Sequence, residues 1–174
     1  LFIVGCDKEN SDIPAEPTPD PEPSVKSYQI GDLYDKDGVK GLVFRVNEDG
    51  ESGLIVSLTE PEQMKAWSTE FITTDATVRN CGEQNTALIY TLQDWQSKYP
   101  AFVWCKSLGS GWYIPSIDEL RELLIIGSGN SFSHAIYNHK ATPFAKDYHY
   151  LSSTEMDQWW VYTVDAKSHK QSAN

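Results

Sequence analysis

The stretch GSGWYIPSIDELRELL, Gly109 to Leu124, constrains the chain more than any other. Ser116 and Glu119 stand at the spacing of a capping box, in which the serine hydroxyl takes the N3 amide and the carboxylate reaches back to the N-cap amide. Pro115 disfavours helix in the residue before it, and Asp118, Glu119 and Glu122 put negative charge near the positive end of a helix dipole. A helix therefore begins at Ser116. Ile117, Leu120 and Leu124 share one face, with Leu123 beside them, so this helix packs on a core and ends near the Gly127-Ser128-Gly129 breaker.

Around it the pattern is one of strands and tight turns. Gly41 to Val46 and Gly53 to Leu58 are β-rich runs flanking Asn47-Glu48-Asp49-Gly50, which predicts a hairpin, and Asp35-Lys36-Asp37-Gly38 predicts a second turn. Glu60 to Arg79 reads as an irregular connection with a short helix. Asn85 to Trp95 reads as a helix with Leu88, Leu92 and Trp95 on one face, and Pro100 as the first position of another. Ser128 to Tyr150 lacks clear periodicity and is expected to be a long loop region, the best candidate for a recognition surface. Tyr148 to Ser153 and Trp159 to Asp165 read as closing strands, the second a central one because large side chains point to both faces. A polar tail follows.

The start of the chain is different in kind. Leu1 to Cys6, LFIVGC, resembles the end of a lipoprotein signal peptide, with Cys6 as the lipid-bearing residue. Residues 7–27, with alternating Pro17, Pro19, Pro21 and Pro23 among acids and serines, have the composition of a disordered tether. Residues 28–174 then hold one domain of ordinary size. A net charge of −11 argues against nucleic acid, which is bound by clustered Lys and Arg.

The string W-C-x6-W-Y-x-P-S-x-D-E-L, Trp104-Cys105 and Trp112 to Leu120, resembles the signature of the DUF1566 and major-paralogous-domain group of bacterial secreted and lipid-anchored proteins. Tyr34 to Phe44, Asn85-Thr86 and Leu151-Ser152-Ser153-Thr154-Glu155 fit the same pattern in the same order. The resemblance implies an α+β, C-type-lectin-like domain in the branch shared with formylglycine-generating enzymes: a mixed antiparallel sheet, two to three short helices and a long loop region. Relatives continue past the position of Asn174 into a final strand, so the resemblance implies a domain cut short at its C-terminus. The lipobox-like start, with Asp7 and Glu9 close to Cys6 resembling the acidic export signals of surface-exposed lipoproteins of some Gram-negative bacteria, leads to the expectation of a lipid-anchored outer-membrane protein, exposed at the surface. The tether and the lack of a catalytic constellation lead to that of recognition of a glycan or another protein. Two other roles follow from the fold: an enzyme of the formylglycine-generating branch, or a structural subunit of a surface assembly.

Few residues offer chemistry. Cys81 and Cys105 are a possible disulfide or two buried thiols. His134, His139, His149 and His169 lack zincin spacing, and no CxxC or G-x-S-x-G motif is present, so no metal, cofactor or catalytic residue is expected. The acidic turns miss EF-hand spacing: aligning Gly38 puts Leu33 and Phe44 at the end positions, and aligning Gly50 puts Arg45 and Val56 there. The sugar-binding triplets of calcium-dependent animal lectins are also absent. Tyr148, His149, Tyr150 and Trp159 are the candidates for ligand contact, because aromatic faces stack on sugar rings, whereas Trp160 and Tyr162 are expected in the core of the closing sheet.

Overall fold

The computed structural model describes residues 4–6, 27–50 and 52–174, with only the backbone of 4–6. The tether expected over 7–27 lies outside these residues but for its last one, and nothing is described of the Cys6 side chain. The first sheet contains β1 (Val4–Cys6), β2 (Leu33–Lys36), β3 (Val39–Val46), β4 (Gly53–Ser57) and β5 (Trp112–Tyr113), in the order β2-β3-β4-β1-β5. Asp37 and Gly38, both at positive φ (51° and 80°), make the tight β2–β3 turn, as a two-residue hairpin loop requires. The expected β3–β4 hairpin is present, with Leu42 opposite Val56 and a bulge between Val43 and Arg45.

Alternation along these strands sends side chains to two cores. Leu42, Phe44, Leu54 and Val56 face the organising helix, α4 (Ile117–Gly127), through its Ile117, Leu120, Leu123 and Leu124. Val43 and Ile55 face the opposite way, toward Ile89, Tyr99, Phe102, Cys105 and Trp112. That second core is covered by α1 (Gly82–Thr91), α2 (Trp95–Lys98) and α3 (Pro100–Ser107), the last with Pro100 in its first turn. The second sheet, β6 (His149–Glu155), β7 (Val161–Asp165) and β8 (Gln171–Ala173), is antiparallel with β7 in the middle.

The architecture is α+β, with several departures from the sequence reading. Five helices are described, including α5 (Asn130–Asn138) inside the stretch expected to be a loop. Its buried side is only Phe132, Ala135 and Ile136, set among Ser, Asn and His, which hides the period. Helix α1 starts earlier than expected and buries Gly82, Asn85, Thr86 and Ile89, whereas Leu88, Leu92 and Trp95 are half-buried at its rim. No helix forms over Glu60 to Arg79, and the polar tail supplies β8.

The capping box is present, and Glu119 does more than close its own helix turn. Its carboxylate, 4% exposed, accepts from the Ser116 amide (2.8 Å) and hydroxyl (2.9 Å), the Gly82 amide (2.9 Å) and the Tyr113 hydroxyl (3.1 Å). Gly82 can come this close because it has no side chain: a Cβ there would lie 2.3 Å from the Ile114 carbonyl oxygen. Nearby, the Asn85 side chain accepts from the Val78 amide (2.9 Å) and donates to its carbonyl (2.7 Å) and to Ser153 Oγ (3.2 Å). Thr154 Oγ1 donates to the same carbonyl (2.9 Å) and accepts from the Ile117 amide (3.0 Å), Thr86 Oγ1 accepts from the Ile114 amide (3.1 Å), and the Ser153 amide donates to Pro115 (2.8 Å). One buried polar network thus ties α1, α4 and β6 together.

Glu119→Ala would strand the donors of Gly82, Ser116 and Tyr113 in the interior, and we expect it to lower the unfolding free energy by about 3 kcal/mol or more. Asp118→Ala, at an exposed position whose ion pair with Arg79 is 3.5 Å long, should cost no more than about 1 kcal/mol. Urea denaturation of the two variants side by side checks both values.

Candidate functional site

The described surface concentrates exposed aromatic area where the Glu60 to Arg79 connection meets the β6–β7 turn. The connection is pinned from below. Thr74 donates its amide (2.8 Å) and hydroxyl (2.8 Å) to the buried Glu155 carboxylate, and the Glu155 amide donates to Ala76 (2.8 Å). Trp67, 8% exposed, meets Tyr99 and Phe102 edge to face, with centroids 5.6 and 5.3 Å away, and its indole N–H donates to Ser152 (3.0 Å).

The turn is built by Asp157, whose Oδ1 accepts from the amides of Trp159 (2.7 Å) and Trp160 (3.0 Å). This is the Asx-type local bond that draws a chain out of strand geometry. Both indoles therefore project outward, Trp159 57% and Trp160 49% exposed, and Trp159 lies over Phe71, itself 70% exposed, with centroids 5.0 Å apart at 37°. Together with Trp67, Glu70, Ile72 and Gln158 they line a shallow cleft of about 180 Å³. A tilted aromatic shelf with acids and an amide at its margin offers stacking faces and hydrogen-bond acceptors side by side.

Of the four residues read as contacts, Trp159 is on this shelf. Tyr148 is exposed but sits at the far end of the β6–β7 hairpin, as does His149, which lies 3.5 Å from Asp165 and 3.4 Å from Ser172 Oγ. Tyr150 is a correction. It is 3% exposed, in the core beside α4, and its hydroxyl accepts from the Ala145 amide at 2.7 Å. Trp160 is a second correction: the strand begins at Val161, so Trp160 belongs to the turn and not to the core. Tyr162 is half-buried, with the Arg79 guanidinium 4.9 Å from its ring centre. Phe71, a lone aromatic in an irregular run, carries no period in the sequence, and the Asp157 to Trp160 spacing is the one local sign of an outward turn.

Cys81 and Cys105 are both free thiols in the structure, not a disulfide. Cys81 precedes α1, half-buried, whereas Cys105 is fully buried on the inner side of α3 and hydrogen-bonded to Tyr90. Burial pushes the Cys105 thiol up to about 12, and burial with the neighbouring Cys105 raises Tyr90 too. Such a thiol is a poor nucleophile. Glu119, with Ser116, Gly82 and Tyr113 already upon it, has no free face for acid–base work. No family model, no curated protein and no solved structure matches the chain.

At pH 8 a soluble thiol reagent should modify Cys81 in the native protein and Cys105 only after unfolding, which mass spectrometry of the labelled peptides reads directly. The raised pKa also fixes a sign. The stability Cys105 contributes is complete below the free-thiol value of about 8.5 and is lost as pH rises toward about 12. The urea midpoint should fall across that window, and less steeply in Cys105→Ala.

Proposed function

We propose that the chain is a lipid-anchored cell-envelope protein of a Gram-negative bacterium whose α+β domain recognises a glycan on the Phe71–Trp159–Trp160 shelf. The observation that carries this reading is the shelf itself. Three large aromatic side chains stay in solvent, while the protein buries Trp67, Trp112, Phe44 and Phe102 in its cores. Sugar rings present C–H faces that complement aromatic planes, and their hydroxyls can donate to carboxylates such as those of Glu70 and Asp157 at the margin. Acceptors at the edge of a stacking face give orientation as well as affinity.

The resemblance of the Trp112 to Leu120 and Leu151 to Glu155 segments to the DUF1566 group supports a C-type-lectin-like domain and an exported protein. The lipobox-like LFIVGC supports anchoring through Cys6, and the acidic Pro-rich run after it supports a tether. In the structure the polar side chains of the family-like segments serve the fold. Asn85, Thr86, Ser116, Glu119, Ser153 and Thr154 all spend their polar groups on the buried network. That supports a ligand-reading surface built on exposed side chains outside those segments, Phe71, Trp159 and Trp160, where members of such a group are free to differ.

A glycan array probed with the full chain should give hits that persist in the presence of a calcium chelator. Trp159→Ala should weaken a hit about tenfold or more with little change in unfolding free energy, because the side chain is exposed. An array silent at high protein concentration, or hits indifferent to Trp159→Ala and Phe71→Ala, would remove the shelf from consideration. In the native host Cys6→Ala should move the protein out of the membrane fraction.

A further inference from the structure

Helix α5 and the segment after it enclose an apolar cleft of about 420 Å³ against α4. Leu124, Ile136, Ala141 and Phe144 form its floor and walls, and Tyr137, 84% exposed, stands at its lip. The volume is within the range of sites that hold small organic molecules. No carboxylate is among the lining residues, and two lysines, Lys140 and Lys146, are. Neither has an ion-pair partner among the described residues. In a chain with net charge −11 that is an unusual place for two uncompensated cations.

The cleft is also preformed. Helix α5 ends in a Schellman turn, in which the Ala141 amide donates to Ile136 (2.9 Å) and the Lys140 amide to Tyr137 (3.2 Å). That motif puts its C′ residue in the left-handed region, where glycine is the usual occupant, yet the residue here is Lys140 at φ 54°. A lysine is thus held at the cleft mouth in a backbone state that costs it about 1 kcal/mol. Beyond it, the Thr142 amide donates to Leu58 (2.8 Å) and the Ala145 amide to the Tyr150 hydroxyl (2.7 Å), which fixes the outer wall. Phe144 in turn presses on α4 at Gly127, where an added Cβ would lie 1.9 Å from its ring, and stacks on Phe132 at 6.2 Å.

We propose that this cleft binds a soluble, single-chain anionic amphiphile, with the hydrocarbon between α4, α5 and Phe144 and the anionic head between Lys140 and Lys146. Burial of the chain drives binding, and the two ammonium groups select the sign of the head. The site is separate from the aromatic shelf and does not depend on the glycan reading.

The test is isothermal titration of the full chain with octanoate, nonanoate and decanoate, with 1-octanol and decyltrimethylammonium for comparison. Each added methylene should tighten carboxylate binding about fourfold until the cleft is filled. The double variant Lys140→Gly with Lys146→Ala keeps the fold, since glycine relieves the left-handed backbone, and should weaken decanoate about tenfold while leaving 1-octanol unchanged. Ile136→Trp, which fills the cleft, should weaken both. Three results would overturn the proposal: no saturable binding of decanoate, equal affinity for decyltrimethylammonium, or decanoate binding unaffected by the double variant. Binding only to phosphatidylglycerol vesicles and not to free decanoate would also refute it, by assigning the lysines to a membrane surface.

Discussion

The Glu119 carboxylate is the point on which the fold depends. A carboxylate moved from water into a protein interior is stabilised only if its lone pairs are met by donors, and four donors from three separate parts of the chain meet this one. The local part, Ser116, starts α4. The distant part, Gly82, starts α1, and Tyr113 on β5 lies between. Because the same group closes all three, α1, β5 and α4 cannot shift independently without leaving a buried charge short of partners. Helix α4 then presents Ile117, Leu120, Leu123 and Leu124 to the inner faces of β3 and β4. The first core is thereby placed.

The division of labour between polar residues follows from this. Those with the strongest hydrogen-bonding side chains inside the domain, Asn85, Thr86, Glu119, Thr154 and Glu155, are engaged with backbone groups of other segments. They replace regular secondary structure where the chain is irregular, satisfying buried amides that no ladder reaches. Chemistry at the surface is left to side chains with no such duty: the aromatic shelf at one end of the β6–β7 hairpin and the lysine-rimmed cleft beside α5.

What was legible in the sequence was local. Ser116 and Glu119 announce α4 because both halves of the capping box lie within one turn, and Asp35 to Gly38 announce the turn between β2 and β3 because its chemistry is contained in a few residues. The buried face of α1 was not legible. Asn85 and Thr86 are buried by partners such as Ser153 and the Ile114 amide, from other segments of the chain, and no periodicity of apolar residues reports that. Tyr150 and Trp160 exchanged places for a related reason. The alternation of β6 from His149 turns Tyr150 into the core beside α4, and the Asp157 turn, not hydrophobicity, sets Trp160 outward. Phe71 meets Trp159 across a sequence separation that no local pattern reports.

The position of β1 gives the start of the chain a second meaning. Val4 and Gly5 pair with Val56 and Ile55 on one side and with Tyr113 and Trp112 on the other, so this short strand is the mortar between β4 and β5. A chain cut ahead of Cys6 loses both residues. Without them the backbone donors and acceptors of β4 and β5 would face each other in want of a strand.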